Sequence, residues 1–253
     1  MSIERWQKTT PVSPRAFVLA TVLSLIGALH ALAADIEVPT APPPSVPANY
    51  FPRPVDWGGL YFGINGGYAF GTSVWNNAAV STGNFSTNGG LVGGTLGINY
   101  ANGGGFLFGV EIDADWSGLL GSSSIAACTG LGAPAGTACE TKSAWLSTGR
   151  LRLGYAFNRI LFFGTAGAAI GDFEIGLNPP GGFRRLPLQL GWTAGGGIEY
   201  AFTDYLTAKV EYLFVDLGTV SCPLDGTCGP LQAASVSLTE NIVRAGFNYK
   251  FSW

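Results

Sequence analysis

Residues 106–118 read FLFGVEIDADWSG, and the alternation within them decides the fold. Phe106, Phe108, Val110, Ile112, Ala114 and Trp116 fall at every second position, while Gly109, Glu111, Asp113, Asp115 and Ser117 fill the positions between. A period of two places the first set on one face of a β-strand and the second on the other. The apolar face is aromatic-rich and the opposite face carries three acids. In water such a strand would bury its apolar face in a core. In a membrane barrel the same pattern is turned inside out, with lipid taking the apolar face and the lumen the polar one.

The pattern recurs along the chain. In 187–201, Leu188, Leu190, Trp192, Ala194, Gly196, Ile198 and Tyr200 oppose Gln189, Gly191, Thr193, Gly195, Gly197 and Glu199. At the end, Val243, Ala245, Phe247, Tyr249, Phe251 and Trp253 oppose Glu240, Arg244, Gly246, Asn248 and Lys250. Eight segments are expected as strands, at about 57–70, 88–100, 105–117, 143–156, 160–173, 187–201, 205–217 and 238–253. Each has the length of a tilted strand crossing a bilayer. Tight turns at 101–104, 157–159 and 202–204 alternate with long connections near 71–87, 118–142, 174–186 and 218–237. The fold class is therefore all-β, an eight-stranded antiparallel transmembrane barrel with short periplasmic turns and longer extracellular loops. The fifth segment is the weakest. Ile160, Phe162 and Ile170 oppose Leu161, Phe163 and Thr165, both faces are apolar or small, and the register stays open.

The N-terminus carries an export signal. Arg5, Lys8 and Arg15 precede the apolar run AFVLATVLSLIGAL (16–29), and Ala31-Leu32-Ala33 offers a cleavage site. We read 1–33 as a signal peptide, 34–56 as a periplasmic linker with seven prolines, and 57–253 as the barrel. Removing 1–33 takes away three basic residues and Glu4, leaving ten basic and fifteen acidic residues and a net charge of −5. That balance excludes nucleic acid as a partner. Only 11% of the chain is charged, against about 25% in ordinary soluble domains.

Parity sends Glu111, Asp113, Asp115, Arg150, Arg152, Glu199, Lys209, Glu211, Glu240, Arg244 and Lys250 into the lumen. An eight-stranded barrel is only wide enough for side chains to fill it. Six acids and five bases there are expected to pair into a network rather than line a conduction path. Trp57, Tyr100, Trp116, Trp145, Trp192 and Trp253 are expected to face lipid as interfacial girdles, which argues against a soluble lipocalin-like binder.

Cys128 and Cys139 fall in one polar loop, Cys222 and Cys228 in another. Two local disulfides are the first expectation in an oxidising periplasm, with free thiols and then a metal site behind it. His30, in the leader, is the only histidine. The mature chain therefore has no histidine for a nucleophilic pair or a metal site, which excludes histidine-dependent barrel enzymes such as deacylases. Gly93-Gly94 and Gly195 to Gly197 lack phosphate-binding spacing. No catalytic residue and no cofactor are expected.

Taken together, WGGLYFGINGGYAFG (57–71), FLFGVEIDADWSG (106–118), TGRLRLGYAFNRILFFGTAGAAIGDF (148–173), GGGIEYAFTDYLTAKVEYLFVDLG (195–218) and VRAGFNYKF (243–251) resemble the small alphaproteobacterial outer-membrane proteins, the family of the 25- and 31-kilodalton surface antigens. The resemblance spans about 57–253. It implies an eight-stranded barrel with both termini in the periplasm, and roles in envelope integrity and surface contact with hosts. Some relatives are described as porin-like and some as haem-binding. The chain departs from the family at its end, where Ser252-Trp253 extends past the usual terminal phenylalanine, matched by Phe251. Tyr249, Phe251 and Trp253 keep one parity, as a C-terminal assembly signal requires. Expected partners are outer-membrane lipid and lipopolysaccharide, the barrel-assembly machinery, and host or cell-surface ligands of the loops. The expected role is structural and interactive. The alternative is a small porin or an uptake barrel for a solute such as haem, although the mature chain has neither His nor Met to ligate haem iron.

Overall fold

The structure, a computed structural model, describes residues 55–77, 79–172, 174–179, 181–221 and 235–251. The alternating segments form β1 (Gly59–Asn76), β2 (Phe85–Ala101), β3 (Phe106–Ser122), β4 (Ala138–Phe157), β5 (Ile160–Gly171), β6 (Glu174–Asn178), β7 (Phe183–Arg185), β8 (Gln189–Ala201), β9 (Leu206–Ser221) and β10 (Ser235–Phe251), with one short helix, α1 (Ile125–Gly130). Eight of these strands pair antiparallel in the ring β1-β2-β3-β4-β5-β8-β9-β10. β10 returns to β1 along a seam running from Leu60↔Phe251 to Asn76↔Ser235. Closure gives every strand of the ring a hydrogen-bonding partner on both sides, the condition for a sheet to sit in lipid.

The outward face is apolar from Phe62 to Phe70 on β1, Phe106 to Trp116 on β3, Trp192 to Tyr200 on β8 and Val243 to Phe251 on β10. This band is about ten residues deep per strand, enough to cross the hydrocarbon. Beyond it the strands continue as a collar on the long-loop side. β1 runs to Asn76 rather than ending near 70, β4 starts at Ala138 rather than 143, and β9 and β10 reach Ser221 and Ser235. The alternation persists there with Ser73 and Trp75 inward, and outer positions such as Thr72, Asn76 and Ser86 turn polar, while Leu120, Leu188 and Leu190 stay exposed.

The stretch near 174–186, expected as a long loop, contains the β6–β7 hairpin. β6 takes over the edge of β4 that β5 leaves, from Lys142↔Glu174 to Ala138↔Asn178. Partial burial pushes the Glu174 carboxyl up, but hydrogen bonds and charge from Arg185 and Lys142 outweigh it and hold the group below the usual carboxylate range. At the opposite end the connections are tight. Asn102 Oδ1 accepts from the amides of Gly104 and Phe106, and Gly103 and Gly105 take positive φ.

The interior has three layers. Next to the periplasmic turns, Val55, Trp57, Leu107, Leu161, Phe163 and Ala201 make a small apolar cluster. Charged side chains fill the middle. Above them, Leu119, Leu146, Leu213, Leu217, Leu238 and Ile242 belong to a larger apolar core that runs up into the collar. The register left open for β5 is settled by this packing, with Leu161 and Phe163 inward and Phe162 and Ile170 outward. Trp57 is a correction. Its place at a strand end suggests the lipid girdle, yet it is 4% exposed inside the periplasmic mouth. Its odd position is in step with the inward Tyr61, Gly63 and Asn65, so the alternation of β1 itself turns it into the lumen, where it joins Leu107, Leu161 and Phe163. Tyr100, Trp116 and Trp192 do face outward, and Trp145 is half-buried beside Trp116. Trp253 lies outside the described residues.

A disulfide links Cys128 on α1 to Cys139 on β4, both fully buried, and the Ser124 hydroxyl caps α1 by accepting from the Ala127 amide. Cys222 and Cys228 lie outside the described residues. Because the bridge sits above the lipid band, Cys128→Ser/Cys139→Ser is expected to speed protease nicking in 123–137. It should leave the heat-modifiable gel mobility of the ring unchanged; loss of that mobility would show that the cap supports the barrel.

Candidate functional site

The middle layer of the lumen is a lattice of ion pairs built by strand parity and register. Glu111, Asp113 and Asp115 lie at alternate positions of β3, and Glu111 sits opposite Arg150 of β4. Arg244 of β10 sits opposite Glu211 of β9, and Lys209 opposite Glu199 of β8. The pairs then reach past their neighbours. Arg150 donates from Nη2 to Glu111 and, at 2.7 Å, to Asp113 Oδ2, while its Nη1 crosses the lumen to Glu211 of β9. Arg244 crosses in the other direction, with Nη1 on Asp115 Oδ2 at 2.7 Å and Nη2 on Asp113 Oδ2 at 2.9 Å. Its Nε holds Glu211 Oε2 at 3.0 Å. Lys209 Nζ donates to Glu111 Oε2 at 2.8 Å.

A second knot lies nearer the periplasm. Arg152 pairs with Glu199, donates to the Tyr61 hydroxyl at 3.2 Å, and stacks over the Phe163 ring at 4.0 Å. Tyr61 in turn donates to Glu111 Oε2 at 2.7 Å, which joins the two knots. Thr207 and Asn248 donate to Glu199. Asp113 Oδ2 also accepts from Thr148.

Nine of the eleven residues assigned to the lumen by parity are thus brought together. The other two are corrections to a single network. Glu240 and Lys250 do face inward, but among the described residues neither has an ion-pair partner within 4 Å. They stand at the two ends of the lumen, one among apolar side chains of the upper core and one at the periplasmic mouth, beyond the reach of the central guanidinium groups. Of the assembly-signal residues, Tyr249 and Phe251 face outward beside each other and Phe62, with ring centroids 5.4 to 6.1 Å apart.

Tyr61, Thr148, Thr165, Thr207 and Asn248 also belong to the lattice; the sequence puts Asn248 on the polar face of its strand but assigns none of the five to the network. Neutral donors carry no charge signal. Only parity marks them, as when Tyr61 falls in step with the inward positions that follow it, Gly63 and Asn65. The side chains of Arg150, Arg152, Lys209 and their carboxylate partners are 5% exposed or less. Such an arrangement ties strands together across the lumen.

An outer membrane protein beta-barrel domain family matches residues 21–251. The 31 kDa outer-membrane immunogenic protein of Brucella melitensis is 35% identical over 254 residues, covering 94% of this chain and 100% of that one. The 25 kDa outer-membrane immunogenic protein of Brucella abortus is 30% identical over 94% of this chain and 98% of its own. Among solved structures, the outer membrane protein OprG from Pseudomonas aeruginosa aligns with 78% of this chain and 98% of that one at 15% identity, with a TM-score of 0.48.

Proposed function

Since the chain belongs to the outer membrane β-barrel family and lies in the outer membrane, we propose that it is a sealed barrel that supports the envelope and presents its collar to the surroundings, neither an enzyme nor a pore. The observation that carries this is the cross-lumen lattice, in which Arg150 and Arg244 tie β4 to β9 and β10 to β3 through the barrel axis. Apolar clusters lie on either side of it. A barrel braced in this way resists deformation, which suits a load-bearing envelope component. What varies freely is then the rim, where loops contact partners without disturbing the ring.

Under this reading residues 1–33 are a removed leader and 34–56 a periplasmic spacer. Lipopolysaccharide surrounds the collar, and host or cell-surface ligands bind the loops. The term immunogenic in the names of the Brucella relatives fits a surface-exposed rim.

Conductance tests the proposal. The refolded protein in planar bilayers is expected to give no steady current above the lipid baseline. A large, steady, ion-selective current would overturn it in favour of the porin or uptake reading.

A further inference from the structure

The lattice carries one negative charge more than its own cations cover. In its lower part Arg152 and Lys209 balance Glu199 and Glu111. In its upper part Arg150 and Arg244 face three acids, Asp113, Asp115 and Glu211. Lys250, the remaining inward base, stands away at the periplasmic mouth. All the side chains of the upper part are buried. A buried charge without a counter-charge is among the most unfavourable groups a protein can hold.

The excess has a definite place. At both Asp113 and Asp115 every donor goes to one oxygen. Arg150, Arg244 and Thr148 hold Asp113 Oδ2, and Arg244 holds Asp115 Oδ2. The two Oδ1 atoms are buried without a hydrogen bond. Asp115 Oδ1 leans over Gly93 of β2, where an added Cβ would come within 2.0 Å of it. Gly93 pairs with Asp115 on one side and with Asn65 of β1 on the other, so the two side chains meet across a residue that has none. Asn65 and Asp113 are both polar neighbours of the Asp115 carboxylate. Asn65 is 4% exposed. Its Nδ2 donates to Thr95 Oγ1 at 3.2 Å, which pins the carboxamide over β2, and its Oδ1 has no partner. Thr95 lies directly opposite Asp113. Three buried oxygens that can only accept, with the Thr95 hydroxyl beside them, thus gather around the bare inner face of Gly93.

We propose that this corner binds one hard monovalent cation, sodium, through side-chain oxygens of Asn65, Thr95, Asp113 and Asp115. An all-oxygen set is what a hard cation takes. One positive charge brings the lattice to neutrality, and a divalent ion would overshoot it. Among the described residues no three Asp, Glu, His or Cys side chains converge to hold a metal, so the third acid that would favour a divalent ion is missing. A proton also supplies one charge. Bound to one oxygen, however, it donates to only one other and leaves the third acceptor without a partner. The inference rests on the closed lumen proposed above, and planar-bilayer conductance judges that reading separately.

The test is the urea transition of the full chain in zwitterionic detergent micelles, with sodium chloride exchanged for choline chloride at constant ionic strength. Choline matches the charge of sodium but is too bulky to sit between four side-chain oxygens. Above the dissociation constant of the site, the folding equilibrium constant should rise about tenfold for each tenfold rise in sodium. Asp115→Asn keeps an oxygen for Arg244 and removes the excess charge, so it should fold equally well in either salt. Asn65→Ala deletes a neutral ligand and should move the rise to higher sodium. A wild-type transition that is the same in both salts overturns the proposal. So does one that answers to pH and not to sodium, the mark of a proton in the site, or an unchanged sodium dependence in Asp115→Asn. Should Asp115→Asn fail to fold, an Asn65→Ala profile identical to wild type overturns it instead.

Discussion

Arg150→Ala is expected to destabilise the folded barrel by about 3–5 kcal/mol, the usual consequence of removing one partner from a buried ion pair. Three carboxylates, on Glu111, Asp113 and Glu211, share the Arg150 guanidinium. Without it, the nearest cations, Lys209 and Arg244, are left to share these three acids and Asp115. A loss of this size is a large fraction of the ~5–15 kcal/mol that holds a typical domain. The measurement is the urea midpoint at which unboiled protein changes gel mobility. Arg150→Lys should recover only part of the loss, because a single ammonium cannot fork between carboxylates on opposite walls. Arg150→Met combined with Asp113→Asn should recover more than Arg150→Met alone, since it removes one stranded charge while Arg244 keeps Asp115 and Glu211. An Arg150→Ala midpoint equal to wild type would mean that the lattice is not closed to water.

How much of this was legible in the sequence depends on which face a residue occupies. On β3, every outward residue from Phe106 to Trp116 is apolar and three inward ones between them are acids, so Glu111, Asp113 and Asp115 could be placed in the lumen directly. β9 shows where legibility fails. Tyr212 and Phe214 face out while Leu213, Val215 and Leu217 face in, so the segment is apolar on both faces. The upper lumen is in fact an apolar core, and charge alone gave no hint of it. The extra length of the strands was hidden for the opposite reason. Beyond Trp116 the contrast between the faces weakens, with Leu119 inward and Leu120 outward, and Ser73 or Thr141 pointing inward resembles a loop residue. Trp57 misleads because an aromatic at a strand end looks like a girdle residue, although its odd position shares the inward parity of Tyr61 and Gly63. Cross-lumen partners such as Arg150 and Glu211 are 61 residues apart. Parity puts both inside, but only closure of the ring brings them into contact.

The boundary between lipid band and collar yields the second large effect. Ile112 lies near the middle of the outward face of β3, between the Phe106 and Trp116 ends, and is 52% exposed. Ile112→Arg would place a guanidinium against acyl chains, which costs ~2–4 kcal/mol near the bilayer midplane and ~0–1 kcal/mol near the interfaces. Ser86 also faces outward, but on β2 within the collar, where it sits opposite Thr72 of β1. Ser86→Arg should therefore change stability by no more than about 1 kcal/mol. Folding each variant into bilayers over a urea series measures both. The ratio of the two effects carries the argument, because in a soluble barrel both positions would be solvated and both substitutions nearly neutral. A similar small effect at both sites would put water where the ring of Phe108, Ile112 and Trp116 requires lipid. A large effect at both would extend the hydrocarbon over the collar, and the polar outer positions from Thr72 and Ser86 onward would then have no physical explanation.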